Sequence, residues 1–158
     1  MTTQIKGNDT STFGGAITAN NVGAGNVLQV VQSTITGTVS TTSTSDVSSG
    51  LTASITPSST SNKILIMVSG GKTYSANTIV NITVYRNGSS LGSVAKSSPI
   101  EGTAHGASHS LTYLDSPSST SSVTYTIYYK SWSGNIAYFQ DTSANYGQTT
   151  LTLMEIAG

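Results

Sequence analysis

Few residues in this 158-residue chain could do chemistry: two histidines, six carboxylates and no cysteine. Absence of Cys excludes thiolate nucleophiles, disulfides and Cys-based zinc sites. His105 and His109 are four apart, a spacing that on a helix would turn both imidazoles towards one metal ion. Their segment, Gly-Thr-Ala-His-Gly-Ala-Ser-His, is too glycine-rich for a helix, and the reading is a solvated loop. Gly70-Gly-Lys-Thr73 resembles the end of a phosphate-binding loop, but the pattern needs glycine where Ile66 stands, and a helix afterwards. A strand pattern follows instead, so this segment reads as a strand-end turn. Gly88-Ser-Ser90-Leu-Gly92 matches the hydrolase nucleophile elbow in letters only, because its first glycine belongs to an Asn-Gly hairpin turn. Asp9, Asp46, Glu101, Asp115, Asp141 and Glu155 are scattered, whereas glycan cleavage needs two carboxyls facing each other across a cleft. Asp115, before Ser-Pro, reads as an Asx-type turn former. No catalytic residue, cofactor or metal site is assigned, and the chain reads as a non-enzyme. Tyr128, Tyr129, Trp132, Tyr138 and Phe139 could stack on sugars, but aromatics are equally at home in cores and interfaces. Half are expected inside and half at a surface, with Tyr128, Trp132 and Tyr138 the candidates for surface recognition.

The composition narrows the classes further. Six basic and six acidic residues give zero formal charge, and charged residues are 8% of the chain. A nucleic-acid partner would need a basic stripe that is missing here. The longest apolar run, Ile64 to Val68, is far shorter than the ~20 residues that span a bilayer. The start, MTTQIKGNDT, lacks the charged-then-apolar signature of a signal peptide, so the expectation is a soluble product assembled inside a cell. With 28 Ser and 26 Thr the chain could be low-complexity. Low net charge and 35% hydrophobic residues argue against disorder.

The apolar residues decide the matter, because they fall in short alternating bursts. Alternation gives a strand one dry face, and Thr suits the wet one. Residues 1–26 lack any sustained period and are read as an extended arm, with Ile5, Phe13 and Ile17 as isolated anchors for a partner. From Val27 onward, strands are predicted over 27–40, 51–56, 63–68, 79–86, 91–95, 110–114, 123–132, 136–140 and 149–156. The continuous run Lys63 to Val68 is placed at the centre of the core, and Asn87-Gly88 signals a type I′ hairpin. Eight to ten strands without a 3.6 period make residues 27–158 one all-β sandwich or barrel.

Six phrases carry a resemblance: Val27-Leu-Gln-Val-Val-Gln32, Gly50-Leu-Thr-Ala-Ser-Ile-Thr-Pro-Ser58, Ser61-Asn-Lys-Ile-Leu-Ile66, Leu114-Asp-Ser-Pro117, Ser143-Ala-Asn-Tyr146 and Thr150-Leu-Thr-Leu-Met-Glu-Ile156. In order and spacing they resemble jelly-roll modules of tailed-bacteriophage virions, found on tail fibres and as capsid decoration or cement proteins. The resemblance implies an antiparallel jelly roll, assembly as a homotrimer and no catalytic residues. Only about 26 residues precede the module, where fibres usually carry a long shaft, which favours a decoration protein. The expected role is therefore structural, in a virion assembled in the host cytoplasm. The partner would be the major capsid protein or another virion protein, reached through the arm. The alternative is a tail-fibre or head-fibre receptor-binding module recognising host surface glycans.

Overall fold

The computed structural model describes residues 24–75, 77–97, 105–142 and 147–158. Ten strands fill most of this length: β1 (Val27–Ile35), β2 (Val39–Thr41), β3 (Val47–Ile55), β4 (Lys63–Ser75), β5 (Val80–Arg86), β6 (Ser89–Ser97), β7 (His105–Asp115), β8 (Val123–Ser131), β9 (Ala137–Gln140) and β10 (Thr149–Ile156). All pairings are antiparallel. One sheet runs β1-β10-β4-β7, and the other runs β3-β8-β5-β6. Only β5 and β6 are joined as a hairpin; β1 to β2 and β9 to β10 also stay in the first sheet, and every other connection crosses between the sheets. That order is two Greek keys wrapped into a jelly roll, the form of sandwich that the resemblance implies. The short β2–β9 ribbon completes the first sheet, pairing with the last residues of β4 at Tyr74 and Ser75.

Alternation explains the interior. Val123, Tyr125, Ile127 and Tyr129 of β8 point inwards while Thr124, Thr126, Tyr128 and Lys130 point out. Leu51, Ile55, Ile64, Ile66, Ile82, Leu151 and Leu153 meet them between the sheets. The hairpin turn behaves as its residues dictate: Asn87 (φ 48°) and Gly88 (φ 80°) both take the left-handed conformation of a type I′ turn. One end of the sandwich, here the terminal end, holds the start of β1, the end of β10 and the β3–β4 and β7–β8 loops. The opposite tip end holds the β4–β5 and β8–β9 loops.

Four expectations need correction. Gly70 and Gly71 do not end a strand; they form a bulge inside β4, which continues to Ser75. Both have positive φ, and a Cβ on Gly70 would collide with the Gln148 carbonyl, one on Gly71 with Thr149 and Gln140. Two glycines therefore let β9 and β10 close on β4 where a side chain would hold them off. Second, β7 begins at His105, so His109 is not in a solvated loop but inside the sandwich, at 9% exposure. Third, Asp115 is the last residue of β7 and is buried, with charged and phenolic partners rather than an Asx turn. Fourth, the run Ile64 to Val68 is only half core: Leu65 and Met67 face outwards.

Candidate functional site

Every described carboxylate is held by donors. At the terminal end Glu155, at 1% exposure, points from β10 under the β3–β4 loop. Its Oε1 accepts from the Ser58 amide (2.6 Å), the Ser58 hydroxyl (2.8 Å) and Asn62 Nδ2 (2.5 Å), and its Oε2 accepts from Gln29 Nε2 (2.6 Å). Burial alone would raise its pKa. The hydrogen bonds to the charged form outweigh burial, and the carboxyl titrates below its ordinary range. Gln29 also donates to the Thr56 carbonyl, and Asn62 Oδ1 accepts from the Gly158 amide, so one carboxylate ties β1, β10, the loop and the chain end together.

Beside it, Asp115 accepts from Arg86 Nη1 at both oxygens (2.9 Å each) and from the Tyr125 hydroxyl at 2.7 Å. Burial, then the bond to Asp115, drives the Tyr125 phenol well above its usual range. Asp46 accepts from Tyr85 and pairs with Lys130, and Asp141 pairs with Lys72 at 3.1 Å. Each of these carboxylates ties its own segment to neighbouring strands. Asp9 and Glu101 lie outside the described residues.

His109 is the opposite case. Its ring packs 4.9 Å from Phe139, and neither nitrogen has a hydrogen-bond partner among the described residues. Desolvation pushes its pKa down to about 4, so the ring is neutral near pH 7. No group of three or more metal-ligating side chains occurs among the described residues.

The three surface aromatics are dispersed. Tyr128 lies on the outer face of the β3-β8-β5-β6 sheet, stacked on Tyr85 at 3.9 Å. Tyr138 lies on the outer face of the other sheet, edge-on to Tyr74 at 5.6 Å, and Lys72 sits over the Tyr74 ring. Trp132 stands at the tip end and is 61% exposed. Its turn is firmly held: Ser131 Oγ donates to the Asn135 carbonyl and accepts from the Gly134 amide, while Ser133 and Asn135 both donate to the Asn77 carbonyl. They do not form one stacking platform. The arm anchors Ile5, Phe13 and Ile17 lie outside the described residues.

The sheet register exposes a feature that alternation alone did not reveal. Val30 pairs with Met154, Met154 with Leu65, and Leu65 with Leu114, so four apolar side chains cross the outer face of the first sheet in one row. Val30 is 55% and Leu114 52% exposed. Met67 lies one step inward on the same face, and Val27, next to Ile156, lies at the terminal edge. Beyond the row the face is hydroxyl-rich, with Thr34, Thr150, Ser69 and Ser110 in register. The second sheet's outer face instead carries hydroxyl rungs, Thr52–Thr126 (3.0 Å) and Ser54–Thr124 (2.7 Å). The signal was present in the runs Lys63-Ile-Leu-Ile-Met-Val68 and Leu151-Thr-Leu-Met154, which put hydrophobic groups on both faces of their strands.

No protein-family model matches this chain, and no curated protein matches it.

Proposed function

We propose that this chain is a structural protein of a bacteriophage virion, a trimeric decoration or cement protein that binds and stabilises the assembled shell. The observation that carries the reading is where the virion-like phrases fall. Gly50–Ser58, Ser61–Ile66 and Thr150–Ile156 supply Ser58, Asn62 and Glu155 of the terminal clamp, and Leu114–Pro117 supplies Asp115. Residues of these phrases are thus among those that lock loops onto strands, which suits a module built to endure. A face with few charges and an apolar row fits a protein whose partners are other proteins. Localisation tests the reading: protein copies should co-purify with intact particles in fixed ratio to the major capsid protein. Removing residues 2–26 should leave the sandwich folded but unable to bind shells. Particles lacking the protein, or full decoration by the truncated form, would each count against the corresponding half of the proposal.

A receptor-binding role at a fibre tip has one observation in its favour, the exposed Trp132 on a turn fixed by hydrogen bonds, since a preorganised aromatic loses little entropy on binding a sugar. Binding of the isolated protein to host cells, competed by surface polysaccharide and lost in Trp132→Ala, would favour it over the shell.

A further inference from the structure

We infer that the outer face of the β1-β10-β4-β7 sheet is the surface through which copies of this chain associate, with the β1 side of each copy against the β7 side of the next around a threefold axis. The inference rests on the trimeric reading above and assigns it a place. Val30, Met154, Leu65 and Leu114 form an unbroken apolar row across all four strands, with Met67 and Val27 flanking it. Left in water, contiguous exposed side chains of this kind are an unfavourable surface that association removes.

Four strands at about 4.8 Å spacing and eight residues at about 3.3 Å rise give a sheet footprint of roughly 500 Å² before side-chain relief is counted. Shared between the two neighbours that a threefold axis gives each copy, it supplies roughly 250 Å² of footprint per contact, below the ~800 Å² of surface per partner in a standard stable interface. Charge favours a second copy as the occupant. The rows from Val30–Leu114 through Thr34–Ser110 contain no charged residue, so identical copies meet there without like-charge repulsion, while Lys63 stands on this face at its terminal edge, in the Val27–Ile156 row. The other outer face lacks this property, because Asp46 and Lys130 lie on it beside the Tyr85–Tyr128 stack.

Threefold symmetry makes any contact heterologous: the patch that one copy offers must differ from the patch it receives. The row satisfies this from its own two ends, Val30 at the β1 edge and Leu114 on β7. Since the chain has no cysteine, a pair can be introduced cleanly.

The full chain should run in light-scattering chromatography at three times its 16.2 kDa mass. Leu114→Asp and Leu65→Asp should shift it to a single chain mass while circular dichroism still reports sheet. Val30→Cys with Leu114→Cys in one chain should oxidise to a covalent trimer, and either cysteine alone should not. Lys130→Glu, on the other face, is the control and should leave the trimer intact. A wild type that is monomeric, a folded Leu114→Asp that remains trimeric, or cross-linking that stops at dimers overturns the assignment. Particle localisation is read separately, so a trimer through this face in a protein absent from virions would sink only the virion reading.

Discussion

Glu155 and His109 lie on β10 and β7, the two strands that flank β4, and both point into the sandwich. Their surroundings are opposite. Glu155 stays charged because Ser58, Asn62 and Gln29 bring four donors to it. His109 has no hydrogen-bond partner among the described residues, packs against the Phe139 ring, and stays buried by being neutral. The terminal end therefore uses an ionised group as a tie between segments distant in sequence. Towards the tip, an ionisable group is used as though it were apolar. The difference teaches that a buried titratable residue marks a site only after its partners are counted. Both groups should make the protein acid-sensitive, but in separate pH windows and for different reasons.

The sharpest way to break the comparison is to remove the tie. Glu155→Ala leaves the Ser58 amide, Asn62 and Gln29 without their acceptor and opens the β3–β4 loop. Hydrogen bonds to a charged group contribute about 1.5–3 kcal/mol each and are not additive, so a loss of about 3–5 kcal/mol is expected in urea unfolding. Glu155→Gln should cost less, because it keeps an acceptor oxygen. A loss under ~1 kcal/mol for Glu155→Ala would mean that the loop is held by its own turns rather than by the clamp.

His109 gives the next effect. Its folded pKa, about 4, lies below the ordinary 6.5, so between those values the unfolded chain binds more protons than the folded one. Stability is then complete above about pH 6.5 and falls as pH drops towards 4. The span corresponds to about 3 kcal/mol at most. His109→Phe should flatten the unfolding free energy across this window and leave the slope below it unchanged. An unaltered slope in the variant would show that another group is responsible.

Much of the fold was legible from period alone. Alternation in Val123–Ser131 and the Asn87-Gly88 turn placed β8 and the β5–β6 hairpin, because each depends on residues adjacent in sequence. What alternation could not give was register. Whether Leu65 stands in line with Met154 and Leu114 depends on pairings between strands far apart in the chain. The same holds for Glu155 and Asn62, whose meeting is a consequence of β10 lying against β4. Gly70-Gly71 was misread for a related reason. A bulge and a turn use the same residues, and only the approach of Gln148 and Gln140 distinguishes them. His109 was misread because glycine-rich sequence around it signals a loop, while a strand that packs tightly against its neighbours also tolerates glycine.

The smallest effect tests how the clamp works. Ser58 gives Glu155 two donors, its amide and its hydroxyl, and Ser58→Ala removes only the second. The amide, Asn62 and Gln29 remain, so the loss at neutral pH should be near 1 kcal/mol. Glu155 has a depressed folded pKa, so its contribution is present above the ordinary value of 4.5 and is lost as pH falls through the folded value. A hydroxyl that acts through the carboxylate must lose its effect along with the charge. The difference between wild type and Ser58→Ala should therefore shrink as the pH is lowered below the ordinary 4.5 and the carboxyl takes up its proton. Equal losses at neutral pH and with the carboxyl protonated would assign Ser58 a packing role in the loop and leave the amide and Asn62 as the donors that hold the charge.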